Sequence, residues 1–217
     1  MATSATRSAR VRRPSDEVNA LILNAAHDLF TTQGYHGTKT RQIADRAGVG
    51  ESVVFGHFGS KAKLFEATIL TPFLKFVTDW ARSWDRRPPA STDPIVITRS
   101  FVTGFFTVAE DHRELLRTLL AAQLQGGDSA LASVAAKFGE HFADGLFVMR
   151  RVLLDQGAAR SYEHLDPPVT VAVASGAVMS LVLMDEWLFP PHERKPSRAR
   201  QIDELTQMLM FGISTRP

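Results

Sequence analysis

The sequence predicts an all-α protein with a small amino-terminal domain and a larger carboxy-terminal helical domain. Apolar residues recur at helical spacing in most segments, beginning with the stripe Ile22, Ala25, Ala26, Leu29 and Phe30. Glycine and proline clusters separate these segments where helices are expected to end. No stretch between hairpin turns alternates apolar and polar residues, which is the pattern of a half-buried strand.

The first three predicted helices are defined by their ends. Ser15 is suited to cap the first helix, and Gly34 is suited to end it. Thr38 is suited to cap a short second helix, which Gly48 ends. A third helix covers about 51–57, so the second and third helices are both barely two turns long.

A long fourth helix opens at Ser60 and continues towards Trp84. Pro72 lies inside it, and because proline lacks a backbone N–H we expect a kink or a break there. A loop follows at 85–94. The remaining apolar helical segments are 95–109, 113–125, 129–156, 168–188 and 198–213.

Composition limits the classes of function. The chain has no cysteine, which excludes disulfides, thiolate metal sites and cysteine nucleophiles. Its first residues lack the apolar segment of a secretory signal, so we expect a cytoplasmic location. The uncharged run 169–184 is shorter than the ~20 residues that span a bilayer, so we interpret it as a buried or subunit-interface helix and expect no membrane contact.

Positive charge is concentrated near the amino terminus. Residues 1–61 contain eight Lys and Arg against five Asp and Glu, and four of the arginines lie in the arm 1–15, which we expect to be disordered. Such an arm is either a solvated tail or a contact for a polyanion, and the arm alone does not decide between them.

The stretch 44–61 is typical of a helix-turn-helix, in which two short helices cross at a small residue beside a glycine turn. Ala44 is the small residue, and Gly48 can adopt a positive φ. The apolar positions expected to face the core are Ile43, Ala47, Val49 and Val54. A generic helix-loop-helix packing unit would give a similar pattern.

Two lysines favour DNA over generic packing. Lys61 and Lys63 lie in the first turn of the fourth helix, where the helix dipole normally favours Asp or Glu. The placement suits a site that holds a phosphate between backbone N–H groups and a lysine.

With these motifs in place, the sequence resembles the TetR family of transcriptional regulators. The matching residues keep the family's order and spacing over about 16–76 and are AAHDLF (25–30), GY (34–35), Thr38, IA (43–44), AGV (47–49), HF (57–58) and SK (60–61). The resemblance implies a homodimeric repressor that binds a palindromic double-stranded operator and is released by a small, largely apolar effector. It also implies a DNA-binding domain at 16–76, with its helix-turn-helix at about 39–58, and an effector-binding and dimerisation domain at 77–217.

The resemblance places DNA contacts at the start of the second helix, along the third and just beyond it. These residues are Thr38, Lys39, Thr40, Arg41, Gly50, Glu51, Ser52, Val53, Phe55, His57 and Lys61. Glu51 is suited to accept from a cytosine amino group, and Val53 to contact a thymine methyl. Gly50 and Phe55 replace the family's usual capping serine and phosphate-binding tyrosine, and Gly56 costs the short helix about 1 kcal/mol relative to alanine.

The resemblance also implies an effector pocket and a dimer interface beyond residue 76. Bulky apolar candidates for the pocket are Trp80, Trp84, Phe101, Phe105, Phe106, Phe142, Phe147, Met149, Met179 and Met184. Candidate polar orienting groups are Arg99, Gln123, His141 and Asp144. The interface is expected on a small-residue face and an apolar stripe, comprising Ala172, Gly176, Ser180, Ile202, Leu205, Leu209 and Gly212. The alternative for both sets is ordinary core packing within one subunit.

Two other classes of function are disfavoured. An enzyme would need a catalytic motif, but GHFGSK (56–61) lacks both the GxxxxGK[ST] spacing and a preceding strand, and neither GxSxG nor HExxH occurs. Glu140, His141 and Asp144 are more typical of a solvated helix edge than of a metal site, so we expect no metal and no cofactor. A helical interaction protein without DNA binding is the second alternative, and the amino-terminal basic residues argue against it.

Overall fold

The computed structural model describes residues 14–85, 93–125, 130–158 and 166–214, and within these ranges it contains ten α-helices and no strand. The predicted all-α class is therefore confirmed. No described helix is both long and apolar enough to cross a lipid bilayer. The helices are α1 (Ser15–Gly37), α2 (Thr40–Ala47), α3 (Glu51–Phe58), α4 (Lys61–Asp85), α5 (Pro94–Asp111), α6 (Arg113–Gln125), α7 (Ala130–Ala158), α8 (Pro167–Leu183), α9 (Asp185–Leu188) and α10 (Arg198–Ser214).

Several helix ends differ from the sequence predictions, and Lys39 rather than Thr38 occupies the cap position before α2. Ser15 is itself the first residue of α1, and no side-chain cap precedes it. The backbone leaves helical geometry at Gly34 (φ 70°, ψ 171°) as predicted, but α1 resumes and reaches Gly37. The segment predicted as 168–188 is divided at Met184, whose φ of −111° and ψ of 19° separate α8 from α9.

Helix α4 passes through Pro72 without a break, which contradicts one of the two outcomes predicted for it. Proline removes one backbone hydrogen bond. Ile69 and Phe73, on either side of it, are both buried in the core, and this packing holds the helix together. The boundary expected at residue 76 therefore lies inside a continuous helix that packs against both α1 and α7.

A single hydrophobic cluster extends from the amino-terminal helices into the carboxy-terminal body. It includes Ile22 and Ile43 at one end and Val178 and Val182 of α8 at the other. Because α4 contributes Leu64, Phe65, Ile69, Phe73 and Val77 along its length, it forms the shared wall of both parts. Helix α4 therefore connects the carboxy-terminal body with the helix-turn-helix domain.

Asp185 anchors the junction between α8 and α9, where only 6% of its surface is exposed. Its carboxylate accepts hydrogen bonds from Arg113 (3.0 Å), Lys195 (2.6 Å) and Arg117 (3.3 Å). Arg117 also donates to the carbonyl oxygen of Leu183 at 2.9 Å. Burial alone would raise the pKa of Asp185, but the hydrogen bond from Lys195 and the charge of Arg113 hold that pKa below its ordinary value.

We expect Asp185→Ala to lower the free energy of unfolding by about 2–3 kcal/mol near pH 7, because three cations lose their shared counter-ion. The partial exposure of those cations keeps the loss below that of a fully buried pair. Since the pKa is lowered in the folded state, the difference from wild type is full above the ordinary value of 3.8 and shrinks as the pH falls below it.

Urea unfolding at about pH 7 and about pH 3.5 measures this difference. Asp203→Ala is the matched control, because Asp203 forms an exposed pair with Arg99 and should cost under about 1 kcal/mol. A loss for Asp185→Ala no larger than the control's would mean that the cluster does not stabilise the junction.

Candidate functional site

Helices α2 and α3 cross as a helix-turn-helix. Gly48 connects them with φ 66° and ψ 35°, the left-handed conformation predicted for the turn. Ile43, Ala44, Ala47 and Val54 are all buried against the core, as expected for inward positions. These buried residues therefore hold α2 and α3 in position, and the opposite sides of both helices face outwards.

Thr38 does not lie on this surface, although the resemblance placed it near a phosphate. Only 1% of it is exposed, and its hydroxyl lies within hydrogen-bond distance of the carbonyl oxygens of Gly34 (2.8 Å) and Leu29 (3.0 Å). Thr38 therefore ties the end of α1 to the start of α2. Lys39 directly precedes α2, and its backbone N–H donates to the Gln42 side chain at 2.8 Å.

Glu51 has a partner within the protein. The Thr40 hydroxyl donates to its Oε1 at 2.6 Å, and both side chains are half-buried. This bond joins the first turn of α2 to the first turn of α3. The geometry fits a role in holding α3 in position better than the cytosine contact predicted from the sequence.

The outer face of α3 is mainly small and apolar. Ser52 and His57 are exposed, as are 37% of Val53 and 45% of Phe55. Gly50 precedes the helix and provides no side-chain cap, as its sequence position predicted. Five predicted contact residues are therefore accessible on α3 or at its start.

Four positively charged side chains lie at the starts of α2 and α4, next to the helix-turn-helix. Lys39 and Arg41 are exposed at the start of α2, and Lys63 is exposed in the first turn of α4. Lys61 is half-buried, with Nζ 4.4 Å from the centre of the Tyr35 ring, and burial lowers its pKa. None of the four has an acidic partner among the described residues.

Arg46 differs from these four cations because it is paired. Its guanidinium donates to the carboxylate of Asp28 on α1 at 2.7 Å. Lys63 donates its backbone N–H to the Ser60 hydroxyl at 3.2 Å, so Ser60 caps α4. Cations at the starts of α2 and α4 thus remain available to a polyanion, while Arg46 holds α2 against α1.

A cavity of about 80 Å³ lies between α4, α5, α7, α8 and α10. Trp80, Phe101 and Met149 line it, as the sequence predicted for them. The described lining residues carry no charge, and Thr98 and Thr170 supply its hydroxyl groups. Sequence reasoning missed both threonines, although Thr98 lies three residues before Phe101 and therefore on the same helix face.

The other predicted pocket residues do not line this cavity. Phe105, Phe142 and Met179 border a separate void of only about 10 Å³, and Phe106 is buried in the core. Phe147 and Met184 are exposed. The side chain of Trp84 lies outside the described residues.

The four predicted polar orienting groups are also absent from the lining. Arg99 forms an ion pair with Asp203 on the surface, and Gln123 and Asp144 are exposed. His141 is half-buried and does not contact the cavity either. Polarity at the cavity instead comes from hydroxyl groups, and Thr98 Oγ1 lies 3.2 Å from the sulfur of Met210.

The predicted interface residues divide into two groups. Ala172, Gly176 and Gly212 are exposed, and Ser180 is half-buried. The apolar stripe of α10 faces inward, because Ile202 and Leu205 are buried in their own subunit and Leu209 lines the cavity. These three residues therefore pack mainly within their own subunit, which does not favour the contact with a partner that the sequence suggested.

Different residues form the outer apolar surface of α8, α9 and α10. This outer apolar surface comprises Val169, Ala172, Val173, Gly176, Trp187, Leu188, Met208, Phe211 and Gly212. Trp187 is 80% exposed and Met208 is 70% exposed. Large exposed apolar side chains on successive helices are suited to a protein–protein contact.

Comparisons with known proteins agree with this architecture. Residues 22–68 match the family model described as bacterial regulatory proteins, tetR family. The HTH-type transcriptional activator FasR of Mycolicibacterium smegmatis is 43% identical over 58 residues, which are 27% of this chain and 26% of FasR. The chain thus matches only about a quarter of the length of that relative.

Solved structures resemble the whole chain. The fatty acid degradation regulator FadR of Bacillus halodurans has a TM-score of 0.67 and 19% identity, covering 94% of this chain and 100% of its own. FadR of Bacillus subtilis, in complex with stearoyl-CoA, has a TM-score of 0.63 and 14% identity, covering 91% and 99%. Residues 22–68, which include the helix-turn-helix, are therefore similar to bacterial regulatory proteins of the tetR family, and the fold of these solved structures is shared along almost the whole chain.

Proposed function

We propose that this protein is a homodimeric, sequence-specific DNA-binding regulator that represses transcription until a small, uncharged and largely apolar ligand releases it from its operator. The observation that carries the proposal is the helix-turn-helix surface, where an exposed α3 lies between unpaired cations at the starts of α2 and α4. Such a regulator acts in the cytoplasm.

The surface fits double-stranded DNA in two ways. The exposed side of α3 is suited to the major groove, which admits one helix. Lys39, Arg41, Lys61 and Lys63 are suited to phosphates on either side of that groove, and phosphate contacts fix register without reading sequence. The DNA-binding domain is then 16–76, and the remaining helices form the effector-binding and dimerisation domain.

A dimer follows from the small size of the reading helix. One helix-turn-helix reads few base pairs, so regulators of this kind combine two half-sites roughly 34–36 Å apart. The outer apolar surface of α8, α9 and α10 is suited to pack against its copy, and a two-fold dimer of this kind matches a palindromic operator.

The ligand proposal rests on the cavity and on α4. FadR of Bacillus subtilis is seen with stearoyl-CoA, and the cavity of this chain is likewise apolar. Its volume of about 80 Å³ suits a smaller molecule, or requires its lining to move around a larger one. Helix α4 carries Trp80 in the cavity wall and Lys61 at its start, so a ligand that moves α4 shifts the population away from the DNA-binding arrangement.

We expect Lys61→Ala to weaken binding to all DNA sequences by about tenfold, because it removes one charge-assisted phosphate contact. The plot of the logarithm of affinity against the logarithm of salt concentration has a negative slope, which should become shallower by about 0.9. The measurement is a shift assay at several salt concentrations on DNA from upstream of the protein's own gene and on a scrambled sequence.

Lys75→Ala is the matched control for this experiment. Lys75 lies further along the same helix and pairs with Asp79, so its replacement should leave DNA affinity unchanged. If Lys61→Ala affected the two DNA sequences differently, Lys61 would not be a phosphate contact. If wild type bound neither DNA in a salt-dependent way, the alternative of a helical interaction protein would replace a DNA-binding regulator.

Repression itself is tested in cells. Whether a bound regulator represses or activates transcription depends on the position of its operator. The relative FasR is named an activator, so repression needs a test of its own. A reporter placed behind the upstream DNA should rise when the gene for this protein is deleted, because a dimer bound at a promoter blocks the polymerase. A fall in the reporter would make the protein an activator and leave DNA binding intact.

A further inference from the structure

The exposed face of α3 has an unusual composition for a surface that reads DNA. We define the reading face as Ser52, Val53, Phe55, Gly56 and His57, all of which are exposed. Val54 is buried, and at 100° per residue Ser52 and Gly56 point most directly away from it. Small residues therefore occupy the centre of the reading face, and the apolar side chains of Val53 and Phe55 lie on either side of it.

The fold does not explain the glycine at its centre. Among the described residues, a Cβ added to Gly56 would meet no atom within 4 Å, and Gly56 is not one of the glycines with positive φ. Alanine would therefore fit and would favour the helix. The missing side chain is useful only outside the subunit, where it allows the backbone of α3 to approach another molecule closely.

Helix α3 has few polar side chains that could read bases through hydrogen bonds. The sequence of α3, ESVVFGHF, contains no Arg, Lys, Asn or Gln, which are the residues that form bidentate contacts with guanine or adenine. Glu51 already accepts a hydrogen bond from Thr40. The Ser52 hydroxyl both donates and accepts, so it discriminates poorly between bases.

His57 lies at the edge of the face, nearest around the helix to the buried Val54, and the remaining side chains are apolar. Val53 and Phe55 expose 37% and 45% of their surfaces to solvent in the free protein. The one apolar group that a base pair presents in the major groove is the C5 methyl of thymine. We propose that this face reads its operator mainly through thymine methyl groups, with Val53 and Phe55 as the contacts and Gly56 as the clearance that lets α3 lie close enough.

This inference rests on the proposed function, and the experiment separates the two. The full-length protein first selects its operator from random DNA. Thymines of that operator are then replaced by deoxyuridine, which removes the methyl group and keeps every hydrogen-bonding group. Each lost contact should weaken specific binding about fourfold, while affinity for unrelated DNA stays the same.

Two variants assign the contacts. Val53→Ala and Phe55→Ala should each reduce the ratio of affinities for the thymine and deoxyuridine operators, because the partner of a methyl group is gone. Both side chains are partly exposed, so thermal unfolding should be little changed and the variants should remain folded. Unchanged ratios in both variants would overturn the assignment of these residues.

Gly56→Ala tests the clearance. It should raise the unfolding temperature, since alanine favours a helix, yet weaken operator binding by at least about fivefold, since a methyl group enters a close contact. Gly139→Ala is the control, because Gly139 is an exposed glycine of α7 with no atom within 4 Å of an added Cβ. It should raise stability similarly and leave DNA binding unchanged.

The outcomes are distinct. Equal affinity for the thymine and deoxyuridine operators would overturn methyl reading while DNA binding stands. Wild-type affinity in Gly56→Ala would overturn the close approach. Failure to select any operator would overturn the proposed function and this inference with it.

Discussion

Gly176→Leu is expected to convert the proposed dimer into monomers and to weaken operator binding by about a hundredfold at low protein concentration. Gly176 is exposed at the centre of the small-residue face of α8, where a partner helix can approach closely. A leucine there would hold the two helices apart. Operator affinity then falls because the second half-site is no longer bound in the same event.

The subunit itself should tolerate this change. A Cβ added to Gly176 meets no atom within 4 Å in the part of the chain that the structure describes, and leucine favours a helix by about 0.8 kcal/mol over glycine. A loss of dimer therefore cannot be attributed to misfolding. Gly139→Leu provides the control, since Gly139 is an equally open helix glycine outside α8 and α10.

Sedimentation velocity gives the oligomeric state, and thermal unfolding gives the stability of each variant. If Gly176→Leu sediments as a dimer like the control, the interface lies elsewhere. Trp187→Ala would then test the other end of the outer apolar surface, where the most exposed of its large side chains is found.

The sequence was most informative where function depends on neighbours in the chain. Gly48, Ala44 and Val54 lie within eleven residues of one another, so a local pattern was enough to predict the turn, the crossing and the buried face. Thr38 was misplaced because a threonine before a helix has the same appearance whether its hydroxyl caps that helix or, as here, bonds to α1.

The roles of other residues depend on packing between distant parts of the chain and could not be predicted from the sequence. The stripe Ile202, Leu205 and Leu209 has the spacing of any buried helix face, and spacing alone does not reveal whether that face meets its own subunit or a partner. The bond between Thr40 and Glu51 depends on how α2 and α3 cross. For the same reason the aromatic residues of the cavity could not be separated from those of the core until five helices were placed together.

Ala174→Leu is expected to abolish the response to ligand while leaving operator binding intact. Ala174 is buried and lines the cavity of about 80 Å³, far along the fold from α2 and α3. Leucine adds three carbon atoms that occupy the empty space, so the cost of overpacking should stay below the usual 1–3 kcal/mol. The variant should therefore remain a folded dimer that binds DNA like wild type.

The measurement is release of wild-type protein from its operator in a shift assay with fatty alcohols of increasing chain length and their acetate esters, which are uncharged and largely apolar. We expect one of them to weaken DNA binding of wild type about 10- to 100-fold, the usual range of such coupling, and to weaken that of Ala174→Leu by less than about twofold. Ala143→Leu, at an exposed position of α7, should respond like wild type.

By linkage, operator DNA must weaken ligand binding to wild type by the same factor that ligand weakens DNA binding. Release of Ala174→Leu at the same concentrations as the control would place the ligand outside this cavity, because a filled cavity cannot hold the molecule that moves α4.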